Sequence, residues 1–312
     1  MTTARRLPEA VMVCALLLLS ALPYLGALRY GFVYDDEPQI VGNEAIQRWG
    51  LVSTYFTGHV WSYQYPTIAG NYFRPLFLLW MRLNYAAFGL HPFGWHLATL
   101  LVHLGVVALI YALLRGQFGT WLAAAGALLF AVHPTRIESV VWISGVTDPL
   151  AALGMLGSCL LWLRSRRERS APCLLAALLA YAAAMLCKET AVVLPVILFG
   201  YAWLEEAATG AQGAALALRA GARSAWQMAP FGLVAVAYLS ARFAVLHCLS
   251  HPYQVIPLSA SLLTAPYLFC FYLGKLLWPW SLSLFYEMGI VSQIRDPRWW
   301  LSALLLAGIA AL

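Results

Sequence analysis

The stretch Arg29-Tyr30-Gly31-Phe32-Val33-Tyr34-Asp35-Asp36-Glu37-Pro38 ends the first apolar run of the chain with three consecutive acids. Only 13 acidic residues occur among 312, so three together at the edge of an apolar run need a reason. A carboxylate at a water–lipid boundary loses solvation unless it is fully wet or has a task. The run ahead of the acids covers residues 9–29. It is long enough to cross a bilayer, which takes roughly 20 apolar residues. The acids therefore follow a membrane span.

The rest of the chain carries the same signal. It is 62% hydrophobic and 10% charged, whereas soluble domains are about a quarter charged. Apolar runs recur at 73–90, 93–114, 119–132, 149–163, 171–187, 190–204, 226–246, 263–280 and 299–312. The fold expected is an all-α, polytopic transmembrane helical bundle, with residues 1–312 as one membrane domain. The last run stops abruptly at Leu312, so the chain reads as truncated. The +6 net charge comes from scattered residues rather than a basic stripe interleaved with aromatics, which argues against nucleic acid and for topology signals and lipid phosphates. Six cysteines, mostly inside apolar runs and without a CxxC spacing, give neither a disulfide framework nor a metal cluster. Gly-rich phosphate loops, GxSxG, HExxH and dinucleotide fingerprints are all missing from the sequence.

Charge sets the expected topology. Arg5-Arg6 and the cluster Arg164, Arg166, Arg167 and Arg169 belong on the cytoplasmic side. The first span then delivers a large loop, residues 30–72, to the extracytoplasmic face. Four full crossings between 73 and 163 would put the basic cluster outside, so one run must fail to cross. Residues 119–132 form the shortest run and are expected to be re-entrant. That choice places the polar segment 133–148 on the same face as Asp35 and Asp36.

Three constellations could carry chemistry. In the first, Asp35 or Asp36 is a candidate general base for a hydroxyl; a solvated helix start, with Asp as cap and Pro38 early in the helix, is equally compatible. Arg74, where the chain re-enters the apolar region, is placed to pair with an acid or hold a phosphate, or to anchor by snorkelling. The second is His133, Arg136, Glu138, Trp142 and Asp148 within 16 residues. Here Arg136 is the candidate phosphate contact. Glu138, Trp142, Asp148 and His133 are candidates for sugar or acceptor binding, against the alternative of a wet hairpin. The third is Lys188-Glu189, alone among apolar neighbours, with Lys188 either a phosphate-binding cation or a hairpin turn at the interface. The remaining histidines are single. His96 and His103, seven apart, share a helical face, which by itself indicates packing.

In order and spacing, several short strings resemble the GT-C glycosyltransferases, and among them the transmembrane-and-TPR protein O-mannosyltransferases and their bacterial relatives. These strings are Phe32-Val33-Tyr34-Asp35-Asp36, Phe73-Arg74-Pro75-Leu76, Leu129 through Pro134 continuing to Glu138 and Trp142, Lys188-Glu189, and Tyr272-Leu273-Gly274-Lys275-Leu276-Leu277-Trp278-Pro279. The resemblance implies a hexosyltransferase of a multi-pass membrane, for which the bacterial inner membrane is expected. Its active site would lie on the extracytoplasmic side. It would move mannose or another hexose from a polyprenyl-phosphate donor to a hydroxyl of a protein, glycan or lipid acceptor. Asp35 or Asp36 would be the base of an inverting single displacement, and Arg74, Arg136 and Lys188 would hold the donor phosphate. No cofactor is required by this scheme and no metal site is expected, although one divalent cation could sit at Asp35/Asp36. Two departures stand out. Val146-Thr147 precede Asp148 where the family often has Arg, and the helical repeats that usually follow are not in this chain. The competing readings are a transporter or flippase of lipid-linked glycans, and an inactive membrane scaffold.

Overall fold

A chain in hydrocarbon must pair its own backbone N–H and C=O groups, and a helix does this within one segment. The computed structural model describes residues 8–67, 70–208, 214–248 and 256–310, and all the regular structure there is helical. Arg5-Arg6 lies outside the described residues. In chain order the α-helices are α1 (Glu9–Ala21), α2 (Glu44–Gln47), α3 (Pro75–Phe88), α4 (Pro92–Val132), α5 (Ile137–Val141), α6 (Thr147–Glu168), α7 (Ala171–Cys187), α8 (Leu194–Ala208), α9 (Ala214–Gln227), α10 (Ala229–Leu246), α11 (Leu258–Leu277) and α12 (Pro297–Ala310). Six helical stretches are long and apolar enough to cross a membrane: Glu9–Arg29, Pro92–Val132, Ile143–Glu168, Glu189–Ala208, Ala229–Leu246 and Leu258–Leu277. The chain is an integral, multi-pass membrane protein.

α1 tightens into a 3-10 segment at Leu22–Arg29, where Pro23 removes a backbone donor. α4 is one helix only by continuity. At Gly119 the backbone takes φ 74°, ψ 177°, a region open essentially to glycine alone. There the chain folds back. The His103 Nε2 lies 3.2 Å from the Ala131 carbonyl, whereas in a straight helix these residues would be roughly 42 Å apart. The two arms close on α1 through Met12, Leu16, Val107, Tyr111, Ala123, Ala127 and Ala131. α6 and α7 form the tightest pair: a Cβ at Gly154 would meet the Ala180 carbonyl at 2.9 Å, so only glycine permits the approach. Ser158 Oγ donates to the Ala177 carbonyl across the same seam (2.7 Å).

These contacts define two ends of the bundle. At one end Glu9 pairs with Arg115 (2.6 Å), and Arg166 pairs with Glu205. At the other end, Tyr24 Oη donates to the Ala131 carbonyl (2.7 Å) and Trp95 Nε1 donates to the Gly89 carbonyl (2.9 Å). Residues 30–67 and 70–72, the 133–148 segment and Lys188 all gather at this second end.

The crossing pattern differs from the one expected at 119–132. That run returns fully from the Arg115 end to the Asp36 end. The run that does not cross is 73–90. Arg74 at its start pairs with Glu189, and Gly89 at its finish meets Trp95, so both ends of α3 lie at the Asp36 end. The physical reason is content: α3 carries the buried Arg82, which donates to the Ile46 carbonyl (2.8 Å) and faces the Trp49 ring at 4.2 Å, both partners belonging to the loop at this end. The segment 133–148 still meets Asp36, through a different parity. Single cysteines at Leu90 and Thr135 should react with a membrane-impermeant maleimide from one side, and a cysteine at Gly116 from the other. Labelling of positions 90 and 135 from opposite sides would overturn this path.

Candidate functional site

The site begins with a backbone kink. Tyr34 takes φ 53°, an uncommon state for a residue with a Cβ. Its ring packs against Trp142 (centroids 5.9 Å) and Phe285 (6.3 Å), which offsets the strain. The next two residues have different surroundings. Asp36 is fully buried. Its Oδ1 accepts from the Ser144 N–H (2.9 Å) and Ser144 Oγ (2.6 Å), and its Oδ2 accepts from the Val33 N–H (3.1 Å). Asp35 is partly buried, and no donor among the described residues pairs with its carboxylate. Burial pushes the Asp35 carboxyl above its ordinary value, and the adjacent Asp36 charge pushes it the same way. Burial also raises Asp36, against its three donors and the nearby His96, which favour the charged form.

Beside the kink opens a cavity of about 910 Å³. Arg136, Glu138 and Trp142 line it, joined by His96 and by Tyr272 and Lys275 of α11. Neither Asp35 nor Asp36 reaches the lining; their neighbours Val33 and Tyr34 do. Burial raises the Glu138 carboxyl, Asp148 adds to this, and Lys188 opposes it. Arg136 binds only the Thr135 hydroxyl (3.1 and 3.3 Å) and covers the Phe130 ring (5.2 Å). Lys275 Nζ donates to the carbonyls of Trp280 (2.9 Å) and Ser281 (3.0 Å) and faces the rings of Phe271 and Tyr286. Neither cation has a carboxylate partner among the described residues. The cavity is therefore aromatic and apolar over most of its wall, with two unneutralised cations.

The other residues singled out in the sequence form a separate cluster. Arg74 makes a bidentate pair with Glu189 (2.7 and 2.9 Å), and Lys188 pairs with Asp148 (2.6 Å). Asp148 lines a smaller cavity of about 360 Å³ that shares Arg136 with the larger one. His133 has both ring nitrogens engaged, one with Thr135 (2.8 Å) and one with the Leu276 carbonyl (2.9 Å). It thereby straps the second polar segment to α11. Ser144, which has no charge, carried no marker in the sequence, and His96 was marked only for packing; Lys275, within the string that resembles the family, joins them at this end. No three His, Cys, Asp or Glu side chains converge on one point among the described residues.

With this geometry in place, relatives become informative. A family model described as dolichyl-phosphate-mannose-protein mannosyltransferase matches residues 74–221, just under half of the chain. Protein O-mannosyl-transferase Tmtc1 of Drosophila melanogaster is 33% identical over 174 residues, 54% of this chain and 20% of its own length. The chain resembles the protein O-mannosyltransferases. Protein O-mannosyl-transferase Tmtc2 of the same fly is 35% identical over 179 residues, 54% of this chain and 19% of its own. The human protein O-mannosyl-transferase TMTC4 is 31% identical over 181 residues, 51% of this chain and 24% of its own. The chain thus spans about a fifth to a quarter of these mannosyltransferases. No solved structure matches significantly.

The Arg74–Glu189 pair is largely shielded from solvent, so removing one partner leaves a buried charge. Arg74→Ala should lower stability by about 3 kcal/mol, read by thermal unfolding in detergent. The double change Arg74→Met with Glu189→Leu should recover most of that loss.

Proposed function

We propose that this chain is a membrane glycosyltransferase that moves a hexose, mannose first, from a polyprenyl-phosphate donor to a hydroxyl of a protein acceptor. Asp35 is the base. The observation that carries this assignment is the asymmetry of the acidic pair: Asp36 is held by three hydrogen bonds, while the partly exposed Asp35 carboxylate has no donor among the described residues. A group fixed in that way orients; a partly exposed carboxylate without partners can take a proton. The likeness to mannosyltransferases supports the sugar and the protein acceptor.

In this reading the acceptor oxygen attacks the anomeric carbon as its proton passes to Asp35. The bond from that carbon to the phosphate oxygen breaks on the opposite face, so the configuration inverts. The electron pair leaves with the phosphate. Arg136 and Lys275, the two cavity cations without carboxylates, stabilise it. Glu138 and Trp142 hold the sugar, and the aromatic and leucine-rich wall takes the first isoprene units. Arg74 and Lys188, paired with Glu189 and Asp148, fix the second cluster against α3 and α7 and shape the field around Arg136 from a distance. The chemistry as written uses no metal. The basic cluster Arg164–Arg169 sits at the far end of the bundle, which under the positive-inside rule supports an extracytoplasmic position for the Asp36 end.

Transfer from polyprenyl-phosphate mannose, followed by mass spectrometry of the acceptor, tests the proposal. Asp35→Asn should lower kcat/KM by about 100- to 10,000-fold without loss of fold. Arg136→Ala should lower it by about 100- to 1,000-fold. Transfer by Asp35→Asn at near wild-type rate would remove Asp35 as the base. pH gives a second check. A base must be ionised, so kcat/KM should fall as pH drops through the Asp35 pKa, at a limb above the ordinary aspartate value of about 3.9. Asp36→Asn removes the like charge and should move that limb to lower pH, whatever it does to the rate.

A further inference from the structure

We infer that α9 lies flat in the membrane surface at the end of the bundle away from Asp36, and that Arg219 and Arg223 bind the phosphates of anionic phospholipids there.

The path of the chain puts α9 at that end. α8 finishes beside α6, where Glu205 pairs with Arg166. α9 then lies across the C-terminal turns of α8. A Cβ at Gly221 would meet the Trp203 indole at 3.8 Å, and Gln227 Nε2 donates to Glu206 Oε1 (3.3 Å). α10 starts at Ala229 and runs back to the Asp36 end, where Arg242 donates to the Asn71 carbonyl (2.8 Å). The middle and the C-terminus of α9 thus both touch the final turns of one span, and the next span leads away from them. Such a helix does not cross the bilayer; it runs along its surface.

The residues of α9 are sorted around its axis. Ala220 and Ser224, one turn apart, are buried and face the bundle. Leu218 is 75% exposed and Trp226 80%, and helical spacing turns both away from that contact. Arg219 and Arg223 form an exposed stripe, again one turn apart. Large apolar side chains are not left to water at a bilayer edge. Tryptophan settles at headgroup level, and arginine lays its stem along apolar surface while its head reaches the phosphates. This is the pattern of a helix held in the interface plane.

Charge identifies the lipid. α9 contains no acid, and neither of its arginines meets a carboxylate among the described residues. Glu168, Glu205 and Glu206 at this end have partners of their own in Arg164, Arg166 and Gln227. Arg167 and Arg169 are exposed at the same end. An anionic phospholipid meets both halves of the surface, with its phosphate for guanidinium and its acyl chains for Leu218 and Trp226. A soluble anion leaves the apolar half bare. A zwitterionic lipid carries an ammonium that offsets its phosphate.

The test places the full chain in nanodiscs of mixed phosphatidylglycerol and phosphatidylcholine, and native mass spectrometry counts the lipids kept by the released protein. The wild type should keep phosphatidylglycerol in preference. Arg219→Gln and Arg223→Gln should each lower that preference by about fivefold. Arg219→Lys with Arg223→Lys retains the charge and should keep most of it. Leu218→Ser with Trp226→Ser should lower retention of both lipids. A wild type without the preference, or a preference that survives both glutamine changes, would overturn the inference. So would its loss to competing inorganic phosphate, which marks a site for a free anion. A wild type released as a dimer that the glutamine pair dissociates, with lipid retention unchanged, would mark a protein interface and overturn it too. None of these readouts involves sugar transfer, so the glycosyltransferase reading is tested separately.

Discussion

The structure turns on one buried carboxylate. Asp36 joins the loop that leaves the first span to the segment before α6, through the backbone and hydroxyl of Ser144, 108 residues away. A carboxylate taken out of water is tolerated only where donors replace its hydration, and three do so here. The two polar segments also share an apolar cluster, in which Ile40, Ile46 and Tyr55 join Ile143 and Val146, and the anchor adds a directional tie to that contact. Tyr34, Trp142, Arg136 and Glu138 then line one wall because the chain on either side of the anchor has no freedom to slip.

Charge at this end of the bundle is sorted by partnership. Arg74 and Lys188 are neutralised by Glu189 and Asp148, which makes them stiff framework. Arg136 and Lys275 meet only a hydroxyl, carbonyls and ring faces, so their field reaches into the cavity. A cation without a counter-charge at a membrane boundary is costly, and the persistence of two such cations beside this cavity is what supports the proposed contact with a donor phosphate.

Much of the architecture was legible in the sequence, because hydrocarbon imposes length and composition on each span. The meeting of Asp35-Asp36 with residues 133–148 was legible too, through charge topology. The crossing order was not. Apolar runs of similar composition do not reveal that Gly119 adopts a left-handed backbone or that α3 lies along one end, since both depend on packing. At the site, residue types were readable and partners were not. Arg74 reads as a cation able to pair with an acid or hold a phosphate, and its pairing with Glu189, 115 residues on, is visible only in the structure. Ser144 has no charge to mark it, although it supplies two of the three donors that hold Asp36.

The reversal at Gly119 also bears on how the protein is made. Every residue of the cluster that joins α1 to the two arms of α4 lies within the first 132 positions. This three-helix unit is complete before Ser144 emerges from the ribosome, and domains generally organise in the order of synthesis. The acid-bearing loop is thus presented on a finished platform, and its clamp arrives last.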